Sequence, residues 1–134
     1  MGFELTAVRS TDEAVRTYLA ALNGHDADAI AACVTEEFVN EHTSTLGHSR
    51  HGRAEYRQAL EGFLADFGDL HYELEAVIVD GDRAAVPYRM SFRMRSAGDA
   101  PVSVRGVFVF RVEDGLIAHR TDYWDSGEVR RQLG

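Results

Sequence analysis

Residues 84–95 read Ala84-Ala85-Val86-Pro87-Tyr88-Arg89-Met90-Ser91-Phe92-Arg93-Met94-Arg95, and their alternation decides the fold. Ala84, Val86, Tyr88, Met90, Phe92 and Met94 fall on one face of an extended chain, and Ala85, Pro87, Arg89, Ser91, Arg93 and Arg95 on the other. Strict period two over this length marks a strand with one buried face. Downstream the pattern returns: Val102, Val104, Gly106, Phe108, Phe110 and Val112 alternate with Ser103, Arg105, Val107, Val109 and Arg111. Upstream, Tyr72, Leu74, Ala76 and Ile78 alternate with Glu73, Glu75, Val77 and Val79, and Asp80-Gly81-Asp82 supplies a hairpin turn. Glu113-Asp114-Gly115 turns the chain once more, and Leu116 to about Trp124 forms the last strand.

The first half reads as helices. Ser10-Thr11-Asp12-Glu13 is a capping box, and Val15, Tyr18, Leu19 and Leu22 recur at helical spacing until Asn23-Gly24. Asp26 or Asp28 caps a short second helix through Ala29–Val34. Glu37–His42 is short and extended, and a polar loop from Thr43 to Gly52 carries His48, Arg50 and His51, which no periodicity places. A third helix spans about Arg53 to Phe67, with the stripe Tyr56, Leu60, Phe63, Leu64 and Phe67, and Gly68 ends it. Helices segregated from hairpin-linked strands predict an α+β fold: three N-terminal helices packed on a curved, mostly antiparallel sheet of four to six strands. A twisted sheet folded over helices makes a cone, whose mouth is suited to hold a ligand.

The 134 residues suit a single domain spanning 1–134. No apolar run approaches the ~20 residues of a membrane span. Met1–Leu5 lacks the basic region and apolar core of a signal peptide, and Gly2 alone makes no case for myristoylation. A net charge of -8 with no basic run longer than Arg130-Arg131 argues against nucleic acid. The one cysteine, Cys33, permits no intrachain disulfide, which fits the cytoplasm, and its apolar neighbours make it a small buried hydrophobe.

Four stretches in order resemble the SnoaL-like polyketide cyclases of the nuclear-transport-factor-2-like, or ketosteroid-isomerase-like, superfamily. They are Tyr18–Asn23 followed by His25-Asp26; Phe38–His42 before a loop ending at Gly52; Arg105–Gly115; and Thr121–Asp125 with the terminal Arg131-Gln132-Leu133-Gly134. The resemblance implies a cone-shaped α+β barrel and a small-molecule pocket. It also implies a cofactor-independent cyclase or isomerase acting on a polyketide-like or other cyclic organic substrate. No metal is expected: His42, His48 and His51 form a loose cluster without the spacing of a ligand set.

In these families an aspartate near the position of Asp122 is the general acid/base. By strand parity Arg120, Asp122 and Trp124 share a face; the indole raises the carboxyl's pKa and Arg120 lowers it. Asp125, on the opposite face, is the alternative carboxylate. His42 lies where relatives place a pocket base, with Glu41 one register step away. Tyr18 is placed to hydrogen-bond a substrate carbonyl, as a tyrosine does in ketosteroid isomerases. Phe63, Tyr88, Phe92, Phe108, Arg120 and Trp124 are expected around the substrate, with Phe110 on the same apolar face. Two departures stand out. Gly106 replaces the second acid of the isomerases, and an epoxide hydrolase would need Arg89 in the pocket and an aspartate where Ser91 stands. The outer sheet face, with Val77, Val79, Arg89, Ser91, Arg93, Val107 and Val109, fits a homodimer contact.

Three readings separate on the state of Asp122. An enzyme needs a buried, perturbed carboxyl at the base of an open cavity. A non-catalytic binder has Asp122 neutralised by Arg120. A structural module has the cavity filled by side chains such as Trp124 and Phe63.

Overall fold

The computed structural model describes residues 8–134, so the readings of Met1–Leu5 and of Gly2 lie outside the described residues. The elements run α1 (Thr11–Gly24), α2 (Ala27–Ala31), β1 (Val34–His42), β2 (Arg50–His51), α3 (Arg53–Asp66), β3 (Phe67–Leu74), β4 (Ile78–Asp80), β5 (Arg83–Met94), β6 (Ala100–Glu113), β7 (Leu116–Trp124) and α4 (Ser126–Leu133). The Ser10 and Glu13 capping box closes the start of α1. Asp26 caps α2, accepting from the backbone N–H groups of Asp28 and Ala29. Val15, Tyr18, Leu19 and Leu22 of α1 press onto the sheet and are all but fully buried. Cys33 is buried, its thiol donating to the Ala29 carbonyl.

The strands form one curved, open sheet in the order β2-β1-β7-β6-β5-β3, with β4 also on β5. The α+β class and the mostly antiparallel sheet stand as expected, with three additions. The sheet has seven strands and is mixed, because β1 runs parallel to β7. A fourth helix, α4, follows β7. The strand expected from Tyr72 through Ile78 is broken in two. Leu74 pairs with Tyr88 but Ile78 pairs with Ala85, one residue out of step. The break falls at Pro87, which has no N–H to donate to a neighbouring strand. A one-residue slip reverses the faces, which leaves Ile78 60% exposed rather than inward. Nor does Gly68 end α3: the helix passes directly into β3, and Gly68 is a buried strand residue.

Register places the functional rows. Across β1, β7, β6 and β5, Asn40 lies beside Arg120, Phe110 and Ala84, and His42 beside Asp122, Phe108 and Val86. Tyr88, Gly106 and Trp124 make the next row. The glycine in that row leaves a gap in the inner sheet surface, and the Tyr88 ring occupies it: a Cβ on Gly106 would lie on the Tyr88 hydroxyl and 2.7 Å from the Tyr123 carbonyl oxygen.

A buried carboxyl in a cavity between helices and sheet

Between α3, α4 and the inner sheet face lies a cavity of about 520 Å³, ordinary for a small-molecule site. Leu60 and Phe63 of α3, Phe67, Met90, Phe92 and Met94 of the sheet, and Val129 and Leu133 of α4 give it apolar walls. Phe63 and Phe67 remain half-buried because they face this space rather than a sealed core. Phe63 and Trp124 line the cavity without filling it. Leu46, Gly47 and His48 of the loop before β2, with Arg50 of β2 itself, form the cavity edge, and the Thr45 hydroxyl meets that of Ser126 at 3.0 Å, joining this loop to α4.

Asp122 enters the cavity with only 5% of its surface exposed. Its Oδ1 accepts a hydrogen bond from the Tyr88 hydroxyl at 2.6 Å. Burial raises its pKa above the ordinary carboxylate value, while Arg120 and the Tyr88 hydrogen bond pull in the other direction. Arg120 is as deeply buried but makes no hydrogen bond to Asp122. Its Nε donates to Asn40 Oδ1 (2.8 Å), its Nη1 to the Tyr18 hydroxyl (3.0 Å), and its Nη2 faces His42 Nε2 (3.3 Å). The guanidinium also lies 5.0 Å from the centre of the Phe108 ring, a cation–π contact.

Arg120 only donates, so the Tyr18 oxygen accepts from it, and the Tyr18 and Tyr56 hydroxyls share a further hydrogen bond in which either oxygen can donate. The Tyr56 hydroxyl thereby ties the cavity wall to the Arg120 network. Tyr18 itself, expected at the substrate, sits one layer behind the wall, fully buried, and so does Phe108, stacked on Tyr88 at 4.3 Å between ring centres. Tyr88, Phe92, Phe63, Arg120 and Trp124 all line the cavity.

His42 faces inward and Glu41 outward, where it meets His119 and Thr121. His42 Nδ1 is 3.6 Å from Asp122 Oδ2 and 3.2 Å from the Trp124 indole nitrogen. The Asp122 distance would permit an ion pair, but burial and the charges of Arg120, His48 and Arg50 depress the imidazole pKa to about 3. His42 is therefore neutral at physiological pH. A neutral imidazole has one acceptor nitrogen, and both Arg120 and Trp124 are obligate donors, so it satisfies one of them at a time. When it accepts from Arg120, Nδ1 carries the proton and turns it toward Asp122.

Two expected outcomes follow from these contacts. The folded pKa of His42 lies below its ordinary 6.5. The stability it contributes is thus present above pH 6.5 and is lost as pH falls toward about 3, with a slope of up to about 1.4 kcal/mol per pH unit. Urea unfolding at several pH values should show a His42→Gln variant losing less stability than the parent over this range; parallel losses would contradict the depressed pKa. Gly106→Ala should destabilise by about 1–3 kcal/mol through overpacking, and should displace Tyr88 from Asp122. Urea unfolding reads the first effect, and a rise in the Asp122 pKa, followed by carboxyl NMR, reads the second.

Other expected positions resolve plainly. Asp125 caps α4, accepting from the Gly127 N–H at 2.8 Å, and is exposed. Arg89 lies on the outer sheet face, exposed and opposite Glu73, so it does not supply a pocket arginine for epoxide opening. Asn40, Tyr56 and Tyr72 line the cavity but were not singled out from the sequence. Tyr56 and Tyr72 carried only the signal of apolar stripes, and Asn40 that of a neighbour of the inward His42.

The SnoaL-like domain profile matches residues 15–120. Among solved structures, a protein of ketosteroid isomerase-like fold from Catenulispora acidiphila, crystallised with trimethylamine, superimposes with a TM-score of 0.82 at 19% identity, covering 91% of this chain and 92% of that one. TsrD from Streptomyces laurentii gives a TM-score of 0.77 at 28% identity over 98% of both chains. A polyketide cyclase candidate from Pseudomonas putida gives 0.80 at 20% identity over 94% of this chain and 99% of that one. No curated protein matches the chain. Among the described residues, no helix is long and apolar enough to cross a membrane.

Proposed function

We propose, from the premise that the chain belongs to the SnoaL-like family, that its cavity is the active site of a cofactor-independent acid/base enzyme of the cyclase or isomerase type, acting on a polyketide-like or other cyclic carbonyl compound. One observation carries this reading: the Asp122 carboxyl lies inside an open apolar cavity, held by Tyr88 and not neutralised by a direct bond to Arg120. Asp122 takes a proton from carbon next to a substrate carbonyl and returns it elsewhere on the molecule or to the closing ring. The carbonyl oxygen, which gains negative charge, lies toward the Arg120 guanidinium, with the Tyr56 hydroxyl beside it. Tyr88 holds the carboxyl in place. His42 serves as a neutral positioning partner rather than a base, since accepting a proton would place a second cation against Arg120. Phe63, Phe92 and Trp124 hold the body of the substrate.

The test is solvent deuterium incorporation. A panel of cyclic ketones and 1,3-dicarbonyls incubated with the protein in heavy water should include compounds that gain deuterium at the α-carbon, read by mass spectrometry. Binding across the panel without exchange would favour a non-catalytic binding protein instead.

The protein also acts as a homodimer through the outer sheet face. There Pro87, Val107 and Tyr123 form one cross-strand row, and Ala85 and Val109 sit in the next. Tyr123 is 49% exposed, and arginines 89, 105, 83 and 111 flank the patch. Such an apolar centre with a charged rim has the anatomy of an interface. Sedimentation equilibrium should give twice the chain mass, and Tyr123→Arg should shift it to monomer; a monomeric parent would overturn the pairing.

A further inference from the structure

The cavity carries a cation whose hydrogen-bond partners are all neutral. Arg120 is buried, permanently charged, and bonded to an amide oxygen, a phenol and a neutral imidazole. Burying a charge without a counter-charge is costly. The carboxylate nearest to it, Asp122, is held by Tyr88 instead. Around the same end, polar groups lack partners. Asn40 gives its oxygen to Arg120, and its amide N–H groups have no partner among the described residues. The Tyr56 hydroxyl, paired with that of Tyr18, lies at this end too, and the Tyr72 hydroxyl, also on the cavity, has no partner among the described residues either. The cavity edge adds His48 and Arg50, in a chain whose net charge is -8. The rest of the wall is aromatic and aliphatic, and the volume of about 520 Å³ suits a body of two or three fused rings.

We propose that this cavity binds an aromatic-sized, otherwise apolar organic acid as its monoanion, with the ionised oxygen held by Arg120, Asn40 and Tyr56. The inference names the substrate class of the site proposed above and rests on that cavity being the ligand site. A neutral ketone would leave the cation without a directly bonded counter-charge. An enolate, phenolate or hydroxyquinone oxygen supplies one. Proton balance is simple: the acid's proton leaves to solvent or to Asp122, and the electron pair stays on the oxygen facing Arg120.

The experiment compares 2-hydroxynaphthoquinone with its O-methyl ether, two molecules of nearly equal shape of which only the first ionises. Calorimetry at neutral pH should find the hydroxyquinone bound about ten- to a hundredfold tighter, the range of a hydrogen-bonded charge. The protonation midpoint of the bound chromophore, followed in the visible spectrum, should lie at lower pH than in water. Arg120→Met should erase the preference. If that variant does not fold, Tyr56→Phe decides the placement, reducing the preference about tenfold. Equal binding of the two compounds, an unmoved or raised midpoint, or a preference that survives both substitutions would overturn the proposal. Binding is read here without turnover. A kept preference with no deuterium exchange therefore defeats only the acid/base reading, and exchange without a preference defeats only this one.

Discussion

Replacing Asp122 by asparagine is expected to lower turnover by about a hundred- to ten-thousandfold, the usual contribution of a positioned acid/base group. The substitution is nearly isosteric. The asparagine oxygen can still accept from Tyr88, so the floor of the cavity keeps its shape, and only the ability to carry a proton is lost. The loss should therefore fall on kcat, with ligand affinity largely kept. A variant within tenfold of the parent would remove Asp122 from the chemistry. Stability should move the other way. Burial raises the folded pKa of Asp122, so the stability it contributes is present below its ordinary carboxylate pKa and is lost as pH rises through the raised value. Asparagine never pays that ionisation cost. The variant should match the parent in acid and exceed it in denaturant midpoint at neutral pH and above.

Arg120→Met should produce the largest loss of stability of any single change at the site, about 3–5 kcal/mol by the precedent of broken buried charge networks. The guanidinium satisfies Asn40, Tyr18 and His42 at once. Methionine fills much of its volume and bonds none of them, and each orphaned buried polar group costs about 1–3 kcal/mol. Arg120→Lys should recover only part of the loss, because an ammonium has no fork to span the three acceptors. Urea unfolding measures both. A loss below about 1 kcal/mol for the methionine variant would show that the network relaxes without its centre.

The strands with one sealed face were legible in the sequence because burial imposes period two directly: β5 and β6 follow the alternation, and Tyr88, Phe92, Phe108 and Phe110 are all inward. Local caps and turns were legible for the same reason, since Ser10, Asp26 and Gly115 act on their own neighbours. Pairing across long separations was not. The parallel contact of β1 with β7 joins residues some eighty positions apart, and only that register turns His42 inward and Glu41 outward. The slip at Pro87 depends on which neighbour needs the missing N–H, which periodicity does not carry. Helix α4 was missed although Asp125 stands as its cap, because the apolar content of its short face is only Val129 and Leu133. Parity put Arg120, Asp122 and Trp124 on one face, but not the turn of Arg120 away from Asp122 toward Asn40 and Tyr18. A long side chain chooses its partners by reach, after the fold has formed.

The gap at Gly106 has an evolutionary consequence. The space above it holds the Tyr88 ring, so an acid at 106 and a phenol at 88 exclude each other. A chain with the acid would also need its last strand to stand further off, since a Cβ at 106 meets the Tyr123 carbonyl oxygen. The positions are epistatic, but incompletely: Gly106→Asp should be ruinous in this background and only partly rescued by Tyr88→Ala, because the Tyr123 carbonyl oxygen would still lie 2.7 Å from the new Cβ. Evolution could then reach the acid only by moving backbone as well as exchanging side chains.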